Sequence, residues 1–129
     1  MKIVIFFSAF LFLNCSGTLL ENNSENIAGK WTHAESYSSN GAQEIKSGKI
    51  EDFNFEFDEK GNFKERLSSK SLNGNYSFHN SVLHLNYKPT DSPAYFQVEL
   101  SKNKMTLQPV MENGALICDE GCSSVFKRD

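Results

Sequence analysis

Between residues 53 and 57 the chain reads Phe-Asn-Phe-Glu-Phe, aromatic and polar residues in strict alternation. Successive side chains on a strand point to opposite faces, so this run suits a strand with one buried face and one wet face. Short β-rich runs of the same kind recur about every ten residues, separated by clusters of Gly, Asn, Asp, Ser or Pro. They are Trp31–Ser36, an opening part of the Ile45–Phe57 stretch, Phe53–Phe57, Phe63–Leu67, Asn75–Phe78, Val82–Tyr87, Tyr95–Leu100, Met105–Gln108 and Ser124–Arg128. No segment carries a long 3.6-residue apolar period, so large helices are not expected. About eight strands joined by short turns predict an all-β domain over residues 27–129, a small antiparallel up-and-down β-barrel. Closing the meander removes the unpaired edges that make open sheets aggregate.

The first fourteen residues do not fit that rhythm. Lys2 precedes an apolar run from Ile3 to Leu13 that only Ser8 interrupts. As a helix that run would span about 16 Å, well short of a hydrocarbon core of about 30 Å. A basic start and a short apolar stretch mark a secretory signal. Phe12-Leu13-Asn14 offers no small-residue cleavage site, but Cys15 follows directly, with Ser16 and Gly17 behind it. This arrangement resembles a bacterial lipobox in a relaxed form, with Phe12 and Asn14 where Leu and Gly or Ala are commonest. The resemblance implies cleavage after residue 14 and lipidation of Cys15. Two acyl chains are what stable anchoring requires. The alternative is a membrane-facing N-terminal segment with an incidental cysteine. The domain plan is therefore a lipoprotein signal peptide over 1–14, the lipidated cysteine and a flexible tether over 15–26, and the barrel over 27–129. Treated as a coil, the tether would reach about 17–20 Å.

A lipidated protein would sit in the bacterial cell envelope. Ser16, in place of an Asp after the cysteine, leans toward the outer membrane, with the domain in the periplasm or at the surface. Without the leader the chain carries 12 basic and 16 acidic residues, mixed along its length. That balance argues against a nucleic-acid partner, which would need clustered Lys and Arg. In an oxidising compartment Cys118 and Cys122, separated by Asp119-Glu120-Gly121, are expected to form a disulfide. The insert can make the tight turn that the bond requires, and so short a loop contributes about 2 kcal/mol. A metal pair or two free thiols are the alternatives, but zinc wants three or four ligands and no histidine lies close in sequence.

Gly29-Lys30-Trp31 at the start of the first strand matches the G-x-W motif that opens lipocalins and lipocalin-like domains. The aromatic strand running into a Gly turn (Phe57 to Phe63), the G-x-Y strand Gly74-Asn75-Tyr76 and the basic pair Lys127-Arg128 point the same way. Residues 28–128 resemble the short lipocalin-like domains carried by bacterial lipoproteins. The resemblance implies that Trp31 plugs the closed end of the barrel and that Arg128, or Lys127, packs across it as a cation–π partner.

If Trp31 points inward, alternation carries His33, Glu35 and Tyr37 inward with it, and Glu65 follows Phe63 and Leu67. With Phe55 these residues are the candidate ligand lining. Inward charges are costly unless paired or wet, which would place them at an open mouth. The alternative is an early bend or bulge in the first strand that leaves His33 and Glu35 on the surface, with Glu65 paired to a neighbouring Lys or Arg. An apolar lining is expected from the alternating positions Phe53, Phe57, Tyr76, Phe78, Leu83, Leu85, Phe96, Val98, Leu100, Met105 and Leu107.

Catalytic motifs are absent: there is no G-x-S-x-G, H-E-x-x-H or P-loop. No enzyme activity, cofactor or metal is expected. Two functions remain, with a purely structural envelope role as a third. A tethered barrel could take a small hydrophobic or amphipathic ligand. An envelope protein-interaction module, for example an inhibitor or host-protein binder, could instead use the Lys88–Pro93 and 118–122 loops and hold no ligand cavity.

Overall fold

The computed structural model describes residues 18–88, 92–118 and 121–129, so the leader, Cys15, the middle of the 88–93 loop and Asp119-Glu120 lie outside the described residues. The described strands are β1 (Gly29–Ser39), β2 (Glu44–Ser47), β3 (Phe53–Phe57), β4 (Asn62–Leu67), β5 (Lys70–His79), β6 (Val82–Lys88), β7 (Ser92–Leu100), β8 (Lys104–Val110) and β9 (Cys122–Arg128). All pairings are antiparallel, and β9 returns to pair with β1. Eight strands, β1 and β3–β9, thereby close a barrel in sequence order. The ninth, β2, is an addition. It pairs with Ser36–Ser39 at the far end of β1, while β3 pairs with Gly29–Thr32 at the near end. The Ile45–Phe57 stretch is thus two strands that share one edge of β1.

Alternation sorts the side chains as the sequence suggests. Phe55, Phe57, Phe63, Tyr76, Leu83, Leu85, Val98, Leu100, Met105, Leu107 and Phe126 are buried in one cluster. Phe55 lies at its centre, with the rings of Phe53, Phe57, Phe63 and Phe126 at 5.8, 5.7, 6.5 and 5.4 Å. Such tilted, offset and edge-on arrangements suit the quadrupoles of aromatic rings.

One end of the barrel is sealed. Trp31 is fully buried, and its indole Nε1 donates to the carbonyl of Ile27 at 2.8 Å. The Arg128 guanidinium lies 4.1 Å from the Trp31 ring centroid. It also donates to the carbonyls of Ala28 (2.6 Å), Asn26 (2.9 Å) and Lys102 (2.8 Å). Gly29 sits under this arginine with φ +128°, and a Cβ there would stand 2.6 Å from Arg128 Nη1. The glycine of G-x-W is required twice, for its backbone angle and for the passage of the guanidinium.

The segment before β1 belongs to this floor and corrects the expectation of a flexible tether up to residue 26. The Leu20 amide donates to Leu100 at 2.7 Å, and Asn22 Nδ2 donates to Val98 at 3.0 Å. Asn23 then caps a single helical turn, α1 (Ser24–Ile27), which delivers the fully buried Ile27. Lone apolar residues such as Leu20 and Ile27 show no periodicity, so their docking cannot be read from the sequence.

Two local features shape the wall. The β1–β9 register runs Trp31↔Arg128, Thr32↔Lys127, His33↔Phe126 and then Glu35↔Val125, so Ala34 is the extra residue of a β-bulge. On β5, Gly74 lies so close to β6 that a Cβ would fall 1.8 Å from the Asn86 carbonyl oxygen. Substitution of Trp31 by alanine is expected to cost about 3–5 kcal/mol in urea unfolding, the usual loss for a buried aromatic. Gly74→Ala should lower the melting temperature sharply. The control Gly48→Ala, whose new Cβ meets nothing within 4 Å, should not.

Candidate functional site

The strand directions place the 58–62, 80–81 and 101–103 turns with the Trp31 floor, and the other connections at the opposite end. That opposite end is bordered by β2, the 48–52 segment, the 68–69 turn, the adjoining ends of β6 and β7 and the 111–118 loop. The inner face there carries polar side chains among its aromatic rings.

His33 faces inward and is only 1% exposed. It stacks on Phe53 at 5.4 Å and meets the edge of Phe126 at 5.3 Å. The Ile50 amide donates to its Nδ1 at 3.0 Å, so the 48–52 segment crosses above the ring. Because Nδ1 is an acceptor, Nε2 carries the proton and donates to Ser36 Oγ at 2.8 Å, which meets Ser124 Oγ at 3.1 Å. This tautomer cannot accept the Ser36 proton, so the contact is not a nucleophile–base pair. Burial lowers the His33 pKa, and the Glu35 charge opposes this only in part.

Glu65 and Tyr87 form the second inward polar pair. Glu65 shares the inner face with Phe55, its partner across β3 and β4. Tyr87 lies beyond Gly74, whose missing side chain lets the Tyr87 ring reach Phe63 edge-on at 5.1 Å. The Tyr87 hydroxyl donates to Glu65 Oε1. Burial, then this bond, pushes the Tyr87 pKa far above the usual phenol range. The same face ends in Leu67 and Leu72, which are 42% and 43% exposed. A half-buried acid–phenol pair is therefore flanked by accessible apolar side chains.

Of the candidate lining, His33, Glu65 and Phe55 face inward, but Phe55 is sealed in the core. Glu35 and Tyr37 do not, which corrects the expectation from alternation. The bulge at Ala34 shifts the pleat by one residue, so Ser36 takes the inner face. Outside, the Tyr37 hydroxyl donates to Glu35, and Lys46 Nζ lies 3.4 Å from the same carboxylate. The Tyr37 bond chiefly, with help from Lys46, holds the Glu35 pKa below its ordinary value. Among the described residues, Glu65 forms no ion pair with a Lys or Arg, and it accepts from Tyr87 instead. Tyr87 was missing from the expected lining although the alternation Leu83, Leu85, Tyr87 points to it. Ser124 alternates with Phe126 and Arg128 in the same way, whereas Ser36 reaches the inner face only through the bulge and had no such signal.

Cys118 and Cys122 form a disulfide with Cα atoms 5.7 Å apart, at the end of the 111–118 loop where the chain enters β9. Met111, Leu116 and Ile117 on that loop are exposed. Among the described residues no three His, Cys, Asp or Glu side chains converge as a metal site.

No family model and no curated protein matches the chain in sequence. Solved structures resemble it in fold. A lipocalin-like protein from Bacteroides uniformis superposes with a TM-score of 0.59 at 19% identity, over 81% of this chain and 99% of that one. The fold is lipocalin-like. An uncharacterized protein from Bacteroides eggerthii gives a TM-score of 0.60 at 18% identity, over 80% of this chain and 99% of that one. At these identities the likeness is one of fold.

The His33 geometry carries a pH dependence. Its folded pKa lies below 6.5, so the unfolded chain binds the extra proton first. Stability is full above pH 6.5 and is lost as pH falls toward the folded pKa, where protonation must also release the Ile50 amide. His84, lowered by burial and by His79, acts in the same direction. Urea midpoints should therefore drop between pH 7.5 and pH 5.5, and His33→Gln should shrink that drop, with His84→Gln removing a further part.

Proposed function

We propose that this chain is a lipid-anchored protein of the bacterial cell envelope, held to the outer membrane through acyl chains on Cys15, whose lipocalin-like barrel takes a small amphipathic molecule at its open end. The anchor is supported by the apolar leader ending directly at Cys15. Binding is supported above all by one observation, the Glu65–Tyr87 pair turned inward beneath the accessible Leu67 and Leu72. An apolar rim over a few convergent polar groups is the usual composition of a small-molecule site. The rings of Phe55, Phe57, Phe63 and Phe126 fill the barrel below. The ligand is accordingly short, with a hydrogen-bond-donating head for Glu65 and an apolar body for the rim. This reading assigns the chain no catalysis, cofactor or metal.

Titration with the amphipathic amine N-phenyl-1-naphthylamine tests it. Fluorescence should rise and saturate with the wild-type barrel. Leu72→Asp should abolish the rise, and Glu65→Gln and Tyr87→Phe should weaken binding several-fold. Equal response from all four proteins, or none from the wild type, would remove the mouth as a binding site.

A second reading, a protein-interaction module, is favoured by the exposed Met111, Leu116 and Ile117 on the loop that runs up to the Cys118–Cys122 disulfide. It expects Ile117→Asp to abolish a specific envelope cross-link formed by the wild-type chain while leaving the probe titration unchanged.

A further inference from the structure

We infer that the anchored protein stands with its sealed floor against the bilayer and its mouth directed away from it. The inference rests on the proposed lipid at Cys15 and adds an orientation to it. The decisive contacts are those of Leu20 and Asn22. Leu20 bridges antiparallel to Leu100, and two residues on Asn22 bonds to Val98. Strand β7 runs toward the floor and ends at Leu100, where the Ser101 amide bonds to Lys104 in the turn into β8. Followed backward from Asn22 to Leu20, the chain therefore moves toward the floor. Thr18 and Leu19, the first described residues, are exposed and precede Leu20 at that end.

Chain length excludes the inverted arrangement. Five residue steps separate Cys15 from Leu20 and can span at most about 17 Å. The 11 residues of β1 run from floor to mouth. At about 3.3 Å per residue and a tilt near 40°, they set the two ends roughly 25 Å apart. A lipidated Cys15 could not reach a bilayer touching the mouth while Leu20 stays on Leu100. The floor side chains do not choose the orientation by charge, since Lys60, Lys102 and Lys104 are offset by Glu21, Glu25 and Glu59. The short docked leash chooses it. The mouth consequently opens on the aqueous side, and a ligand arrives through water or from a facing membrane rather than sideways out of the protein's own bilayer.

The test uses the lipidated chain purified from membranes and returned to phosphatidylethanolamine–phosphatidylglycerol vesicles. The photo-cross-linker p-benzoylphenylalanine is placed singly at Glu59 or Lys102 on floor turns, or at Ala42 or Ser69 at the mouth, all exposed positions. Flotation with the vesicles is scored first, then lipid adducts by mass spectrometry. Adducts from Glu59 and Lys102, with none above background from Ala42 and Ser69, are expected. Flotation with adducts from the mouth positions, or with none from the floor, overturns the orientation alone. A lipid-free chain that does not float overturns the Cys15 anchor and the orientation with it. Inserting a long Gly-Ser spacer between Gly17 and Thr18 should preserve flotation but reduce the floor adducts several-fold.

Discussion

The structure depends on one contact, the Arg128 guanidinium laid across Trp31. It brings the last strand against the first and so closes the barrel. A cation on an indole face contributes about 0.5–2 kcal/mol, which alone would not hold a barrel shut. Here the same guanidinium also satisfies carbonyls of Asn26, Ala28 and Lys102, which belong to the N-terminal segment, the approach to β1 and the turn before β8. Four parts of the chain meet on one side chain, and Gly29 leaves the gap through which it passes. Lysine would supply the charge but not the planar fork of donors.

With one end sealed this way, chemistry is confined to the other. Going up β1, Trp31 is followed by His33 and then by Ser36, a graded change from an apolar floor to a polar mouth. The Ala34 bulge sets that gradient. Without it Glu35 would enter the barrel beneath the 48–52 segment, with no cation to meet it. With it, the small hydroxyl of Ser36 faces in, and Glu35 goes out to Tyr37 and Lys46. One inserted residue thus exchanges a costly inward charge for a satisfied hydroxyl network.

The legible and illegible parts of the sequence divide along the same physical line. Strands, turns and core positions follow from a period of two, which every residue of Phe53–Phe57 or Leu83–Tyr87 reports, so the barrel could be read from spacing. The disulfide followed from the tight turn and the Trp31–Arg128 floor from the resemblance carried by Gly29 and Trp31. What could not be read depends on exceptions to the period. A bulge at an alanine has no composition signal, and it reversed the placement of Glu35 and Tyr37. The docking of Leu20 and Ile27 depends on two isolated side chains finding the floor, which no local pattern encodes. The meeting of Glu65 with Tyr87 required knowing that Gly74 stands between their strands and leaves space.

Gly74 links the fold to the candidate site more directly than any polar residue. Its lack of a side chain lets β5 and β6 approach until a Cβ would overlap the Asn86 carbonyl. That approach sets Tyr87 against Phe63 and aims its hydroxyl at Glu65. A larger residue would push the strands apart, and the phenol would lose both the ring that orients it and the carboxylate that it meets. The polar head of the mouth is therefore held by backbone packing rather than by a network of its own. A site held in this way is preorganised, and it does not depend on the loops that border it.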